Sequence, residues 1–238
     1  MARSERADGA LQERARSGWL LSFGDVTTLL ITFFIMMLAL NYGAISRVQK
    51  WVDDELTHAY WQLKQAVEEQ NMDLVVVKRD SRGIVIHIRA TEGFAPAQAV
   101  PTETLRWQLM EIGRQLRYLR LFNEQEHPRG RAMLRKALEK GMVFQPEISI
   151  AGHTDSDPVA PTSPLRNNWI LSAMRAQVVM SYLIRASAMD PRWFSVTGYG
   201  AARPLVPNDT PEHKAMNRRV EIVITAAFVK MVENQPET

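Results

Sequence analysis

Two groups of side chains in this sequence have the types and spacing to do chemistry. The first surrounds Asp25, the one formal charge in the 24-residue run from Trp19 to Tyr42. Ser22, Asp25, Thr28 and Thr32 are spaced three, three and four apart, so a helix lines them along one face. A carboxylate at the centre of a membrane helix costs about 2.5–3.5 kcal/mol, so such a face must meet protein or water rather than lipid. Its chemistry would be that of an ion relay, taking up and releasing a proton or a cation. The second group is Asp155 in "HTD" and Ser172 with Arg175 in "LSAMR". A strand end followed by a loop and a helix brings them near one another. A guanidinium and a helix N-terminus favour an anion, and a carboxylate opposite holds an ammonium, so together they fit a zwitterionic amino-acid end. The plainer alternative is a loop–helix salt bridge.

Other chemistries are excluded or unsupported. There is no cysteine, which removes disulfides, thiolate metal sites, cysteine nucleophiles and cysteine-linked lipid anchors. The five histidines (58, 87, 127, 153, 213) show no metal-type pairing. His153, Asp155 and Asp157 fit a strand and loop better than a ligand set. No serine, histidine and aspartate arrangement suggests hydrolysis, so the reading is a binding protein with no cofactor and no metal. A net charge of +3 gives no reason to expect nucleic acid, and "RGRAMLRKALEK" at 129–140 reads as a solvated helix face.

The elements that must position these groups follow in order. The run 19–42 is long enough to cross a bilayer as one retained span, after a tail at 1–18. Arg3, Arg6, Arg14 and Arg16 precede it, whereas Arg47 and Lys50 beyond it are soon offset by Asp53, Asp54 and Glu55. The positive-inside bias therefore puts the N-terminus in the cytoplasm and the rest outside. Residues 43–72 carry apolar side chains at 45, 48, 52, 56, 59, 63 and 66, the stripe of an amphipathic stalk helix. That stripe pairs with a copy of itself or lies on the membrane. From 73 to 228 the pattern is a domain, with a tail at 229–238. Alternation predicts a hairpin (74–78, 84–88). Helical spacing predicts helices at 104–122, 129–141 and from Asn168. Strands follow in "EISIAGH", "FSVTGYG" and "RRVEIVITA". The order implies an α+β fold with helices packed on one face of a mixed sheet.

Four collinear motifs, "AGHTDSDP", "NNWILSAMRAQVV", "GYGAARPLVPND" and "NRRVEIVI", resemble the OmpA-like peptidoglycan-binding domain. The early strand–turn–strand and "GFAPAQAVPTETL" are similar to its first half. The span "WLLSFGDVTTLLITFFIMM" resembles that of the MotB family of motor stator subunits. The resemblance implies that Asp155 takes the amine and Arg175 the carboxylate of diaminopimelate in a peptidoglycan stem peptide. Asn168 and Leu171 match pocket positions on the same helix, and Thr154 orients the loop. One of Arg218 and Arg219 lines the pocket, and the other braces the fold. It further implies a homodimer in the bacterial inner membrane, a ring of a multi-span MotA-like partner, a periplasmic wall domain, and transported H+ or Na+ visiting Asp25. The stalk would act as a plug. The load would be a flagellar rotor or a Zorya-type anti-phage machine. The short link between span and domain and the long segment 120–146 favour the second as much as the first. A passive OmpA-type wall tether and a TolR/ExbD-like energy transducer are the alternatives.

Overall fold

In the computed structural model, the described residues are 2–95, 97–160, 163–165 and 167–231, with side chains left aside at 2–17 and 40–47. The cations Arg3, Arg6, Arg14, Arg16 and Arg47 that set the expected orientation fall outside the described side chains, and residues 232–238 of the expected tail fall outside the described residues. Helix α1 runs Ala2–Glu69. The chain divides into two compact units, Met1–Lys50 and Trp51–Thr238.

In the first unit, Gly18–Ala39 forms a 22-residue stretch of mean hydropathy 1.9, long and apolar enough to cross a membrane. Its apolar side chains are exposed on all sides. So much exposed apolar surface needs lipid or protein around it.

The second unit is a five-stranded sheet covered by helices. The strands are β1 (Val75–Asp80), β2 (Gly83–Arg89), β3 (Met142–His153), β4 (Phe194–Gly198) and β5 (Arg219–Lys230), in the order β1-β2-β5-β3-β4. Only the β3–β4 pair is parallel. The period-2 alternation of the sequence sends Val75, Val77, Ile84, Ile86, Ile88, Ile148, Ile150, Val220, Ile222 and Ile224 to one face, where they form the core. Helices α3 (Glu103–Tyr118) and α5 (Asn168–Ser187) supply its other side through Leu105, Leu109, Ile112 and Leu116, and through Ala176, Val179 and Leu183. The short helices α2 (Ala90–Gly93), α4 (Pro128–Leu138) and α6 (Pro211–Asn217) lie in the connections.

Several boundaries differ from the sequence reading. The helix expected to reach 122 stops at Tyr118, where Leu119 turns extended, and two short 3-10 turns follow. β3 begins five residues earlier than expected and contains Pro146. The proline is tolerated because β4 pairs only with Ile148–Gly152, which leaves that half of β3 an edge needing no N–H. β5 continues to Lys230, two residues past the expected domain end.

The stalk reading is corrected for the residues from Trp51 on. Leu56, Ala59, Leu63 and Ala66 are buried in the domain itself, with Leu63 1% exposed. The stripe therefore covers the domain's own core rather than a copy or a membrane surface. Polar ties hold the segment down: Arg120 Nη2 donates to Glu55 Oε1 at 3.1 Å, and Gln70 Nε2 donates to Glu111 Oε1 at 2.8 Å. Arg79 pairs with Asp53 and donates to Thr57. The domain thus starts near residue 51, not 73.

Candidate functional site

The site forms where α5 meets the carboxyl ends of β3 and β4. A Cβ at Gly152 would collide with the carbonyl of Ser172, and one at Gly198 with the backbone of Ala173. These two glycines let the first turns of α5 lie hard against the sheet. Ser172 locks that approach. It is fully buried, its Oγ accepts from Gly200 N at 2.9 Å, and it donates to Trp169 O at 2.9 Å. It is occupied structurally and does not face a ligand. Asn167 caps the helix by accepting from Ile170 N at 2.9 Å, so part of the N-terminal donor set is also in use.

The strand β3 delivers His153, Thr154 and Asp155 in succession. Thr154 N donates to Gly200 O at 2.9 Å, and Thr154 Oγ1 donates to Asp155 O at 3.0 Å, which fixes the loop. Asn168 Nδ2 donates to Asp155 O at 3.3 Å and to Asp157 O at 2.9 Å, tying the same loop to the helix start. The Asp155 carboxylate, 6% exposed, is paired with Arg218, and its Oδ1 accepts from Asp157 N at 3.2 Å. Arg218 also donates to Thr91 Oγ1 at 3.0 Å.

Arg175 does not pair with Asp155. It is 4% exposed, its Nε donates to Gln98 O at 2.9 Å, and its guanidinium lies 5.2 Å from the Phe94 ring centre. Among the described residues its two terminal nitrogens meet no acceptor. Burial, and then the neighbouring Arg218 cation, pull its pKa down to about 10, with Asp155 offsetting part of the effect. The group remains charged at neutral pH. It is a buried cation short of a counter-ion, with a fork available for a carboxylate. Leu171, one turn earlier on α5, is buried in the domain.

The helix-to-strand junction separates the two arginines of "NRRVE". Arg218, which ends α6 just before β5, turns to Asp155. Arg219 lies on the sheet face away from the core, where its Nε donates to Glu221 Oε1 at 2.7 Å. Burial alone would raise the Glu221 carboxyl, but hydrogen bonds from Arg219 and Arg82 outweigh it and hold the group well below the carboxylate range. Arg219 is therefore a brace. Sequence reasoning missed Gln98, Phe94 and Thr91. Gln98 acts through a backbone carbonyl, which carries no residue signature.

In the first unit, Ser22, Asp25, Thr28 and Thr32 all lie on exposed surface of the helix. Thr28 Oγ1 donates to Asp25 O at 2.8 Å, and Thr32 Oγ1 to Thr28 O at 3.0 Å. Their hydroxyl protons are satisfied within the helix, which leaves oxygen lone pairs facing outward beside the Asp25 carboxylate.

Residues 3–52 match a family described as the membrane MotB of the proton-channel complex MotA/MotB, and residues 128–218 match the OmpA family. Motility protein B of Bacillus subtilis is 41% identical over 93 residues, which is 38% of this chain and 35% of that protein. The peptidoglycan-binding protein ArfA of Mycobacterium tuberculosis is 39% identical over 77 residues, 32% of this chain and 22% of its own length. YtxE, an uncharacterized protein of Bacillus subtilis, is 24% identical over 93% of this chain and 94% of its own length. The motility and ArfA matches thus take in about a third or less of those proteins. Among solved structures, a putative MotB-like protein from Desulfovibrio vulgaris superposes with a TM-score of 0.56 at 22% identity, over 74% of this chain and 98% of that one, a likeness of fold.

Proposed function

The chain is a MotB-family protein with an OmpA-like domain, a structural and binding protein rather than an enzyme, and from that premise we propose that it is the wall-anchored stator subunit of an ion-driven membrane motor. The observation that carries the wall contact is Arg175, a buried guanidinium whose terminal nitrogens meet no acceptor among the described residues, beside the Arg218-held Asp155. A stem-peptide end carrying both an ammonium and a carboxylate satisfies each group. The carboxylate enters the Arg175 fork, and the ammonium shares Asp155 with Arg218. Thr154, Asn168 and Leu171 shape the loop and the helix face around it.

Asp25 relays H+ or Na+, with Ser22, Thr28 and Thr32 lending oxygen ligands. Each binding event changes the helix by one charge, on which a membrane potential acts with about 2.3 kcal/mol per 100 mV. The polar face of the span requires partners, here a second copy and a ring of a multi-span MotA-like protein in the inner membrane, with the C-terminal domain in the periplasm. The load is a flagellar rotor or a Zorya-type defence machine, which neighbouring genes distinguish. Because the domain begins near residue 51, the link from the span is the roughly 11-residue stretch 40–50, which reaches at most about 40 Å.

The test sets Asp25→Asn beside Arg175→Ala in the full chain. The first keeps wall pull-down and partner co-purification but stops the motor. The second loses wall pull-down. A passive tether predicts that Asp25→Asn changes nothing.

A further inference from the structure

Helix α4 carries charge that neither the fold nor the proposed wall site uses. Residues 128–141 hold five cations, Arg129, Arg131, Arg135, Lys136 and Lys140, against the single acid Glu139, in a chain whose net charge is only +3. All five side chains are exposed, and among the described residues none forms a salt bridge or a side-chain hydrogen bond. A run of this kind on an ordinary solvated face is interleaved with acids; this one holds only Glu139, with Glu126 just before it.

Its place in the domain is specific. α4 leads directly into the first residues of β3, and Leu134 and Leu138 line a cleft of about 620 Å³ with Met142, Val143 and Phe144. Phe144 packs against Phe228 at a tilt and against Trp51 edge to face, at 5.2 and 5.4 Å between ring centres. Trp51 is where the domain's chain begins, about 11 residues after the apolar stretch ends at Ala39. The reach of that connection keeps this end of the domain within about 40 Å of a bilayer that the stretch occupies. The same end exposes apolar side chains: Leu138, 57% exposed, the directly paired Val143 and Val229, and Met231. Asp155 follows the other end of β3. Twelve strand residues at about 3.3 Å each separate the two ends by roughly 36–40 Å.

We propose that α4 and the neighbouring strand ends are a membrane-docking face: the five cations seat on anionic phospholipid headgroups, Leu138 and Val143 enter the interface, and the Asp155–Arg175 end is thereby presented away from the membrane. Anionic lipid fits better than a dissolved polyanion because the patch joins cations to exposed apolar side chains and is tethered beside a bilayer. The inference rests on the reading of Gly18–Ala39 as a membrane span.

The absence of cysteine makes the test direct. Gln125, an exposed neutral residue beside Arg131 and Arg135, is changed to cysteine in the full chain and labelled with a fluorescent donor. The protein is placed in nanodiscs of pure phosphatidylcholine or with about 30 mol% phosphatidylglycerol, each with a headgroup-linked acceptor. Energy transfer is expected to be higher with phosphatidylglycerol and to fall to the phosphatidylcholine level by about 0.5 M salt. Arg131→Gln, Arg135→Gln and Lys136→Gln combined should remove at least about half of the lipid-dependent transfer. Arg117→Gln with Arg185→Gln, exposed cations on α3 and α5, should leave it unchanged. Equal transfer in both lipids, or no effect of the triple change, overturns the proposal. So does a response only to an added lipid-free wall polyanion, which would assign the patch to that polymer. Alkaline extraction separates the failures. A chain washed off the bilayer refutes the span reading and the docking with it, whereas a retained chain with flat transfer refutes the docking alone.

Discussion

Replacing Arg175 by alanine should abolish wall binding while leaving the domain folded. The side chain is 4% exposed and its terminal nitrogens meet no acceptor among the described residues, so a ligand carboxylate would gain two charge-assisted hydrogen bonds there. Hydrogen bonds to charged groups are worth about 1.5–3 kcal/mol each, and truncating one side of a buried pair also leaves its partner desolvated. The expected loss is about 3–4 kcal/mol, or roughly 150- to 1,000-fold in affinity. Arg175→Lys keeps the charge but loses the fork and the Nε bond to Gln98, so it should recover only about tenfold of that loss. The assay is calorimetric binding of a soluble stem peptide carrying diaminopimelate, repeated with the free amino-acid end amidated. Amidation should weaken the wild type strongly and Arg175→Ala hardly at all. Affinity of Arg175→Ala within about threefold of wild type, with a normal melting curve, would refute the assignment.

Further consequences follow from the same geometry. Glu124 is buried against Glu55, and burial, followed by the Glu55 charge, raises its pKa to about 7, with Arg120 opposing. Because the folded value lies above the unfolded one, the proton-linked stability is full below about pH 4.5 and is lost as pH rises through 7. The domain should lose about 1–3 kcal/mol between pH 5 and 8.5, and Glu124→Gln should flatten that slope in denaturant titrations. An equally steep slope in the variant contradicts the burial. Leu63→Ala should destabilise the domain by about 2–5 kcal/mol, because Leu63 lies in the domain core. An unchanged unfolding midpoint would return residues 51–69 to the role of a free stalk.

The sequence showed most of the sheet because alternation dictates it. The runs at 75–77, 84–88, 148–150 and 220–224 each place branched residues on one face, and the structure buries those faces. It could not say what the stripe at 56, 59, 63 and 66 covers. Heptad-like spacing looks the same whether the other surface is a second copy or the chain's own core, and only the tertiary structure decides. Helix α6 was missed because seven residues with Pro211 and Thr210 at the start carry too little periodicity. At the site, Asp155, Asn168, Arg175 and Arg218 were visible in local motifs. The Gln98 carbonyl that holds Arg175 lies 77 residues away in sequence and has no side-chain signature. That Asp155 pairs with Arg218 instead of Arg175 is likewise a matter of three-dimensional reach.

The central claim joins an ion-binding carboxylate to a wall anchor in one chain, and ion flux tests it most directly. The full chain, co-purified with the proposed multi-span partner, is sealed into liposomes under an imposed proton or sodium gradient. The account predicts a flux that Asp25→Asn abolishes, Asp25→Glu partly keeps, and Arg175→Ala leaves intact. A flux that persists undiminished in Asp25→Asn would contradict it.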